Sequence, residues 1–148
     1  MNRDLEARRG SLLISTDPAL LDIDTVCGFL ARSYWASGRP RERIEASLRN
    51  SLVFGVYDGK RQVALARLVT DYVTFAWLCD VFVDEEYRGR GIGKWMMETI
   101  VTHPVLRGLK RIVLVTSDAE GLYSRYGFTP LVHPERWMER SPEALKDV

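Results

Sequence analysis

A basic segment punctuated by glycines, Tyr87-Arg88-Gly89-Arg90-Gly91-Ile92-Gly93-Lys94, divides the chain into two patterns that fold differently. Ahead of it, residues 12–15, 53–57, 62–70 and 74–84 read as strands. Asp58-Gly59 is a hairpin signal and a second turn falls near Asp71, so this part is an antiparallel meander. Two helices interrupt it. Ile23, Val26, Cys27, Leu30 and Tyr34 recur at helical spacing behind a capping Asp22, Gly38 stops that helix, and Pro40 starts another through Ile44 and Leu48.

Behind the glycines the period changes. Ile92, Trp95, Met96, Thr99, Ile100 and His103 share a helical face that Pro104 ends. Residues 111–115 read as a buried strand. Ser117 and Glu120 form a capping box for a short helix through Tyr126, with Gly127 as its stop. Residues 128–132 suit a further strand, and Trp137-Met138 a last one. A strand-loop-helix-strand crossover joins parallel neighbours. The expectation is therefore a single α+β domain over residues 1–148, of three-layer α/β/α type. Its sheet is mixed, mostly antiparallel, with about six to seven strands.

The glycine segment opens a helix, where unpaired backbone N–H groups and the positive end of the dipole favour an anion. Glycines let several N–H groups converge on one phosphate, and Arg88, Arg90 and Lys94 add charge. A pyrophosphate fits such a loop better than a bare turn does. Trp95 stands where the Walker pattern requires Ser or Thr, and the glycine spacing is not that of the dinucleotide fingerprint.

The segment Arg88-Gly89-Arg90-Gly91-Ile92-Gly93 instead resembles the acetyl-CoA signature Gln/Arg-x-x-Gly-x-Gly/Ala of the GNAT superfamily of N-acetyltransferases. Val81-Phe82-Val83-Asp84-Glu85-Glu86-Tyr87 resembles the strand that leads into it, with Glu85 where a proline often stands. A second segment, Ala119-Glu120-Gly121-Leu122-Tyr123-Ser124-Arg125-Tyr126-Gly127-Phe128, is similar to the family's Ala-x-x-Leu-Tyr-x-x-x-Gly-Phe. Thr116 occupies a position where many members carry Asn.

The resemblance implies a sheet splayed at a central parallel pair, with the pantetheine arm in the gap. Main-chain groups of Phe82 and Val83 would contact that arm, and the stretch Gly89, Arg90, Gly91, Ile92, Gly93 and Lys94, with Arg88, would hold the pyrophosphate. It implies direct attack of an amine on the thioester, with Tyr123 protonating the leaving thiolate, and an acceptor pocket lined by Tyr34, Trp35, Asp71 and Phe75. Those four also suit ordinary core and turn positions. Asp80 lies in the apolar run Trp77-Leu78-Cys79-Asp80-Val81-Phe82-Val83, where alternation places it with Leu78 and Phe82. Asp80 is the best candidate for a catalytic base: a carboxylate there either deprotonates or anchors the amine, or pairs structurally, Arg67 being the candidate partner.

The remaining features are bland. The formal net charge of +1 points to neither nucleic acid nor a membrane surface. Cys27 and Cys79 fit no metal or disulfide spacing, and read as reduced residues of a cytoplasmic protein. No metal is expected. His103 and His133 read as structural, and Arg39, Arg41, Arg43 and Arg49 mostly as one solvated helix face, with contact to an acidic substrate as the alternative. A non-catalytic acyl-CoA sensor is the competing function. The acceptor amine, from small molecule to polypeptide, is open, as is the choice between monomer and homodimer.

Overall fold

The computed structural model describes residues 3–142. They fall into compact units, Met1–Ser117 and Asp118–Val148.

The first unit is built on one six-stranded sheet in the order β1 (Glu6–Arg9), β2 (Leu12–Ser15), β3 (Leu52–Asp58), β4 (Arg61–Thr70), β5 (Phe75–Val83) and β6 (Arg111–Val113). Every neighbouring pair is antiparallel except β5 and β6. The mixed, mostly antiparallel sheet is therefore as expected, but the parallel pair lies at its edge among the described residues. Strand β1 is an addition. Glu6-Ala7-Arg8-Arg9 has no apolar alternation and pairs through its backbone, after the chain reverses at Gly10 with φ +58°. The Asp58-Gly59 turn is present, with Asp58 opposite Arg61 and Gly59 at φ +59°.

Helix α1 (Ile23–Ala31) begins where Asp22 accepts a hydrogen bond from the Thr25 amide, and α2 (Arg41–Arg49) follows Pro40. Their apolar faces pack on one side of the sheet: Val26, Phe29, Leu30, Ile44 and Leu48 meet Val53, Leu65 and Phe82. Phe54, adjacent to Val53 and so turned to the other side, meets the ring of His103. His103 joins α3 (Ile92–Thr102) to α4 (Pro104–Arg107), so the helix pairs cover opposite faces in three layers. Pro104 ends one helix and begins the next. The buried His103 imidazole accepts from the Val105 amide at Nδ1 and faces the Arg3 carbonyl through Nε2.

In the second unit α5 (Glu120–Ser124) has Ala119 at its N-cap and no side-chain cap, so the expected Ser117/Glu120 capping box does not form. Residues 128–132 and Trp137-Met138 carry no strand. Pro130 supplies no backbone donor, and the 3-10 turn Pro134–Arg136 breaks the extended path ahead of Trp137.

Candidate active site

Strands β5 and β6 pair over Phe75–Arg111, Ala76–Ile112 and Trp77–Val113, and no further. From Leu78 to Val83 the outer edge of β5 has no strand partner among the described residues. The Asp84 amide donates to Val63 on β4 at 2.8 Å. Main-chain groups alternate sides along a strand, so those of Phe82 face β4 while those of Val81 and Val83 face the open edge. This corrects the expectation for Phe82, whose ring stacks on Phe29 at 5.0 Å in the core. The Val83 carbonyl accepts from Arg88 Nε at 3.0 Å.

The open edge leads into the glycine segment, which is fastened to the rest of the unit. Arg32 makes a two-pronged contact with Glu85 at 2.8 and 3.0 Å, Arg61 reaches Asp84 and Glu86, and the Tyr87 phenol donates to Asp58 at 2.8 Å. The Arg32 hydrogen bond holds the Glu85 carboxyl at about 2. An ion pair at Glu85 thus anchors the start of the segment. Gly89 and Gly91 both have φ +79°, a conformation that disfavours any side chain. A Cβ added at Gly89, Gly91 or Gly93 would meet no atom within 4 Å, so the space above the loop is open.

Gly91 caps α3 without a side chain, and the first turn holds no acid. Trp95 donates to the Gly91 carbonyl at 3.0 Å, so the amides of Ile92 and Gly93 precede the first intrahelical bond. Open volume, forward-facing amides and the cations Arg88, Arg90 and Lys94 fit a pyrophosphate. The arginines lean back onto the loop: Arg90 touches the Glu86 carbonyl and lies 4.6 Å over the Tyr87 ring, and Arg88 lies 5.1 Å over Phe82.

A buried ionic cluster lies further back on β5. Arg67 pairs with Cys79 and Leu65 with Phe82, leaving one residue more on β5 than on β4. The surplus is a bulge at Asp80, whose φ is +52°. It moves Phe82 and Cys79 to one face and leaves Leu78, opposite Leu68, on the other. The simple alternation of Leu78, Asp80 and Phe82 therefore fails. Asp80 is 4% exposed. Its Oδ2 accepts from Arg67 Nε and Arg39 Nη1, each at 2.8 Å, and its Oδ1 accepts from Trp35 Nε1 at 2.8 Å. Burial pushes the carboxyl up, but the arginines outweigh it and hold the group below its ordinary value. Arg67 also donates to Ser51.

Comparison with known proteins decides the family. The Acetyltransferase (GNAT) domain model matches residues 49–130. The Gibberella zeae protein FG08082, classed with acetyltransferases, is 34% identical over 140 residues, covering 79% of this chain and 78% of its own. The chain belongs to the GNAT family of acetyltransferases. A solved GNAT-family protein from Xanthomonas campestris pv. campestris is 46% identical, with a TM-score of 0.86 over 93% of this chain and 97% of that one. A Clostridium acetobutylicum structure solved with acetyl-CoA shares the fold at 16% identity, with a TM-score of 0.62 over 93% and 94% of the two chains.

Within this GNAT chain Asp71 stands apart from the other expected acceptor residues. Trp35 and Tyr34 lie together, their rings 5.0 Å apart, with the Tyr34 hydroxyl accepting from the Ser117 amide at 3.4 Å. Phe75 opens β5 on the face that carries Cys79, partly exposed. Asp71 instead organises the β4–β5 turn: it accepts from the amides of Val73, Thr74 and Phe75 and from the Thr74 hydroxyl, and these bonds hold its carboxyl well below the usual range. Tyr123 belongs to the second unit. It is buried on α5, with its ring edge-on to Phe128 at 5.9 Å. Burial pushes the Cys79 thiol up to about 11, far from a reactive thiolate. Sequence reading gave Arg39 no part in the Asp80 cluster and did not single out Trp77. Arg39 precedes the helix to which it was assigned and turns inward. Trp77, on β5, is one of the exposed large apolar residues.

Proposed function

We propose that this chain moves the acetyl group of acetyl-CoA to a primary amine by direct attack. The observation that carries the reading is the continuity of the open β5 edge with the glycine-lined start of α3. The amides of Ile92 and Gly93, with the Lys94 turn and the flanking arginines, would hold the pyrophosphate. Main-chain groups of Val81 and Val83 on the open edge would receive the pantetheine arm. Acetyl-CoA supplies the activated acyl thioester.

Tyr123 is assigned as the acid for the leaving thiolate from the motif it matches. A phenol stays protonated at neutral pH and can donate as the C–S bond breaks. Asp80 is assigned to positioning rather than to proton abstraction. Each of its oxygens already accepts from a cationic or indole N–H, and its proton affinity is lowered, both of which oppose a base. The neighbouring guanidinium charge favours the neutral form of an approaching amine, which is the form that attacks.

The test is Tyr123→Phe, assayed by thiol release against an amine panel with acetyl-CoA binding measured in parallel. We expect binding to persist and kcat to fall by roughly tenfold to a thousandfold. A parental rate in the folded variant refutes the acid. Tight acetyl-CoA binding with no turnover of any amine by the parent makes the protein a sensor.

A further inference from the structure

The cluster at Asp80 carries one negative charge, from Asp80, against the positive charges of Arg39 and Arg67. Arg67 is buried, so the surplus charge reaches solvent at Arg39, whose side chain is 26% exposed. A guanidinium has five N–H donors. Arg39 uses Nη1 on Asp80, and its other side-chain N–H groups have no protein acceptor among the described residues.

The surroundings are apolar and open. Trp35, tied to the same carboxylate, is 41% exposed and Tyr34 beside it is 63% exposed. The β5 face that carries Cys79 continues backward through Trp77 and Phe75, which α1 and α2 leave uncovered. Val69, paired with Trp77, is exposed beside it. Residues two apart on a strand stand about 7 Å from one another, so Trp77 is the nearer of these rings to the Asp80 cluster and Phe75 lies one step beyond it. Asp71, the carboxylate that would have matched a cation, has its oxygens committed to its own turn.

We propose that this shelf selects an acceptor of one chemical class: a small primary amine that also carries a carboxylate and an apolar or aromatic side chain. Arg39 pairs with the carboxylate, and Tyr34, Trp35, Phe75 and Trp77 receive the side chain. Polyamines are disfavoured by the same surplus charge. The inference rests on the acetyl-transfer reading for its turnover, but not for its binding.

The experiment has two arms on the intact chain. In the first, thiol release is compared for L-phenylalanine, L-phenylalaninamide and spermidine. The amide loses its proton more readily than the free amino acid, so a preference for the carboxylate cannot come from amine ionisation. We expect at least a tenfold advantage in kcat/KM for phenylalanine; equal or better use of the amide or of spermidine overturns the proposal. In the second arm, 3-phenylpropionate, which lacks the amine, is titrated against tryptophan fluorescence, with phenethylamine as the counterpart lacking the carboxylate. Saturable binding of the acid alone, weakened at least tenfold in Arg39→Gln, supports the site. Binding of both compounds alike, or of neither, overturns it. Should Arg39→Gln not fold, the comparison of the two compounds on the parent decides. Binding of the acid without turnover of any amine sinks the transferase reading and leaves the anion site standing. Turnover of amines with no carboxylate preference does the reverse.

Discussion

Asp80→Asn isolates the charge at the bulge from its geometry. Asparagine adopts positive φ at least as readily as aspartate, so the backbone at φ +52° is retained and the volume is nearly unchanged. The hydrogen bonds are not. The carboxylate accepts from Arg39, Arg67 and Trp35, all at 2.8 Å. An amide has one oxygen. If that oxygen faces Trp35, the NH2 group points at guanidinium donors; if it faces the arginines, the indole N–H is orphaned. Hydrogen bonds to charged groups contribute about 1.5–3 kcal/mol each, and breaking a buried ion pair costs about 3–5 kcal/mol because a charge is left behind. Arg39 can turn to solvent, which places the expected loss near the lower bound, about 3 kcal/mol. For a chain of this size that is a fall in Tm of roughly 6–12 °C. Urea unfolding should show a lower midpoint with an unchanged m-value. The pH dependence gives a second reading. Asp80 has a depressed pKa in the folded state, so its contribution is complete above the unfolded carboxyl value of about 3.9 and disappears as pH falls through the folded value. The gap between parent and variant should narrow below about pH 4. A loss under about 1 kcal/mol at neutral pH would refute the view that this cluster holds the bulge together.

Three further outcomes are expected. Gly93→Glu sets an anion into open space at the start of α3, in a helical position and without the strain that Gly91 would impose. Acetyl-CoA affinity should fall at least about a hundredfold while thermal stability holds or rises, since acids favour a helix start; intact affinity in calorimetry would remove the loop from the cofactor site. Tyr57→Phe deletes a buried hydroxyl that has no hydrogen-bond partner among the described residues, so stability should be unchanged or up by about 1 kcal/mol; a loss above that in urea unfolding means the hydroxyl is satisfied. Gly55→Ala should cost at least about 2 kcal/mol, because a Cβ there would sit 2.2 Å from the Tyr57 hydroxyl, and a neutral result would show that the tyrosine ring moves aside freely.

The glycine loop, the Asp22 cap, the hairpin at Gly59 and the order of the central strands were legible because each depends on local chemistry. Gly89 and Gly91 adopt conformations that other residues resist, and Asp22 caps the helix it precedes. Strand β1 was hidden because an edge strand needs only backbone, and Glu6-Ala7-Arg8-Arg9 gives no pattern. The bulge was hidden because one inserted residue leaves the apolar run Trp77 to Val83 looking regular while it reverses which face each side chain occupies. The Arg67–Asp80 pair was foreseen as one of two readings; Arg39 and Trp35 were not, since they approach from a loop 41 and 45 residues away. Residues 128–132 misled in the opposite sense, with strand-like composition but Pro130 at their centre.

The short parallel pairing has a consequence for solubility. From Leu78 to Val83 the strand has no strand partner on its outer edge among the described residues, and such an edge is a template on which another chain can add itself. A regular run of amides and carbonyls would invite that addition. The kink at Asp80 falls inside this stretch and breaks the spacing, so an incoming strand cannot keep register across it. Arg88 blocks the far end by taking the Val83 carbonyl. Variants that flatten the bulge should therefore precipitate before they lose their fold.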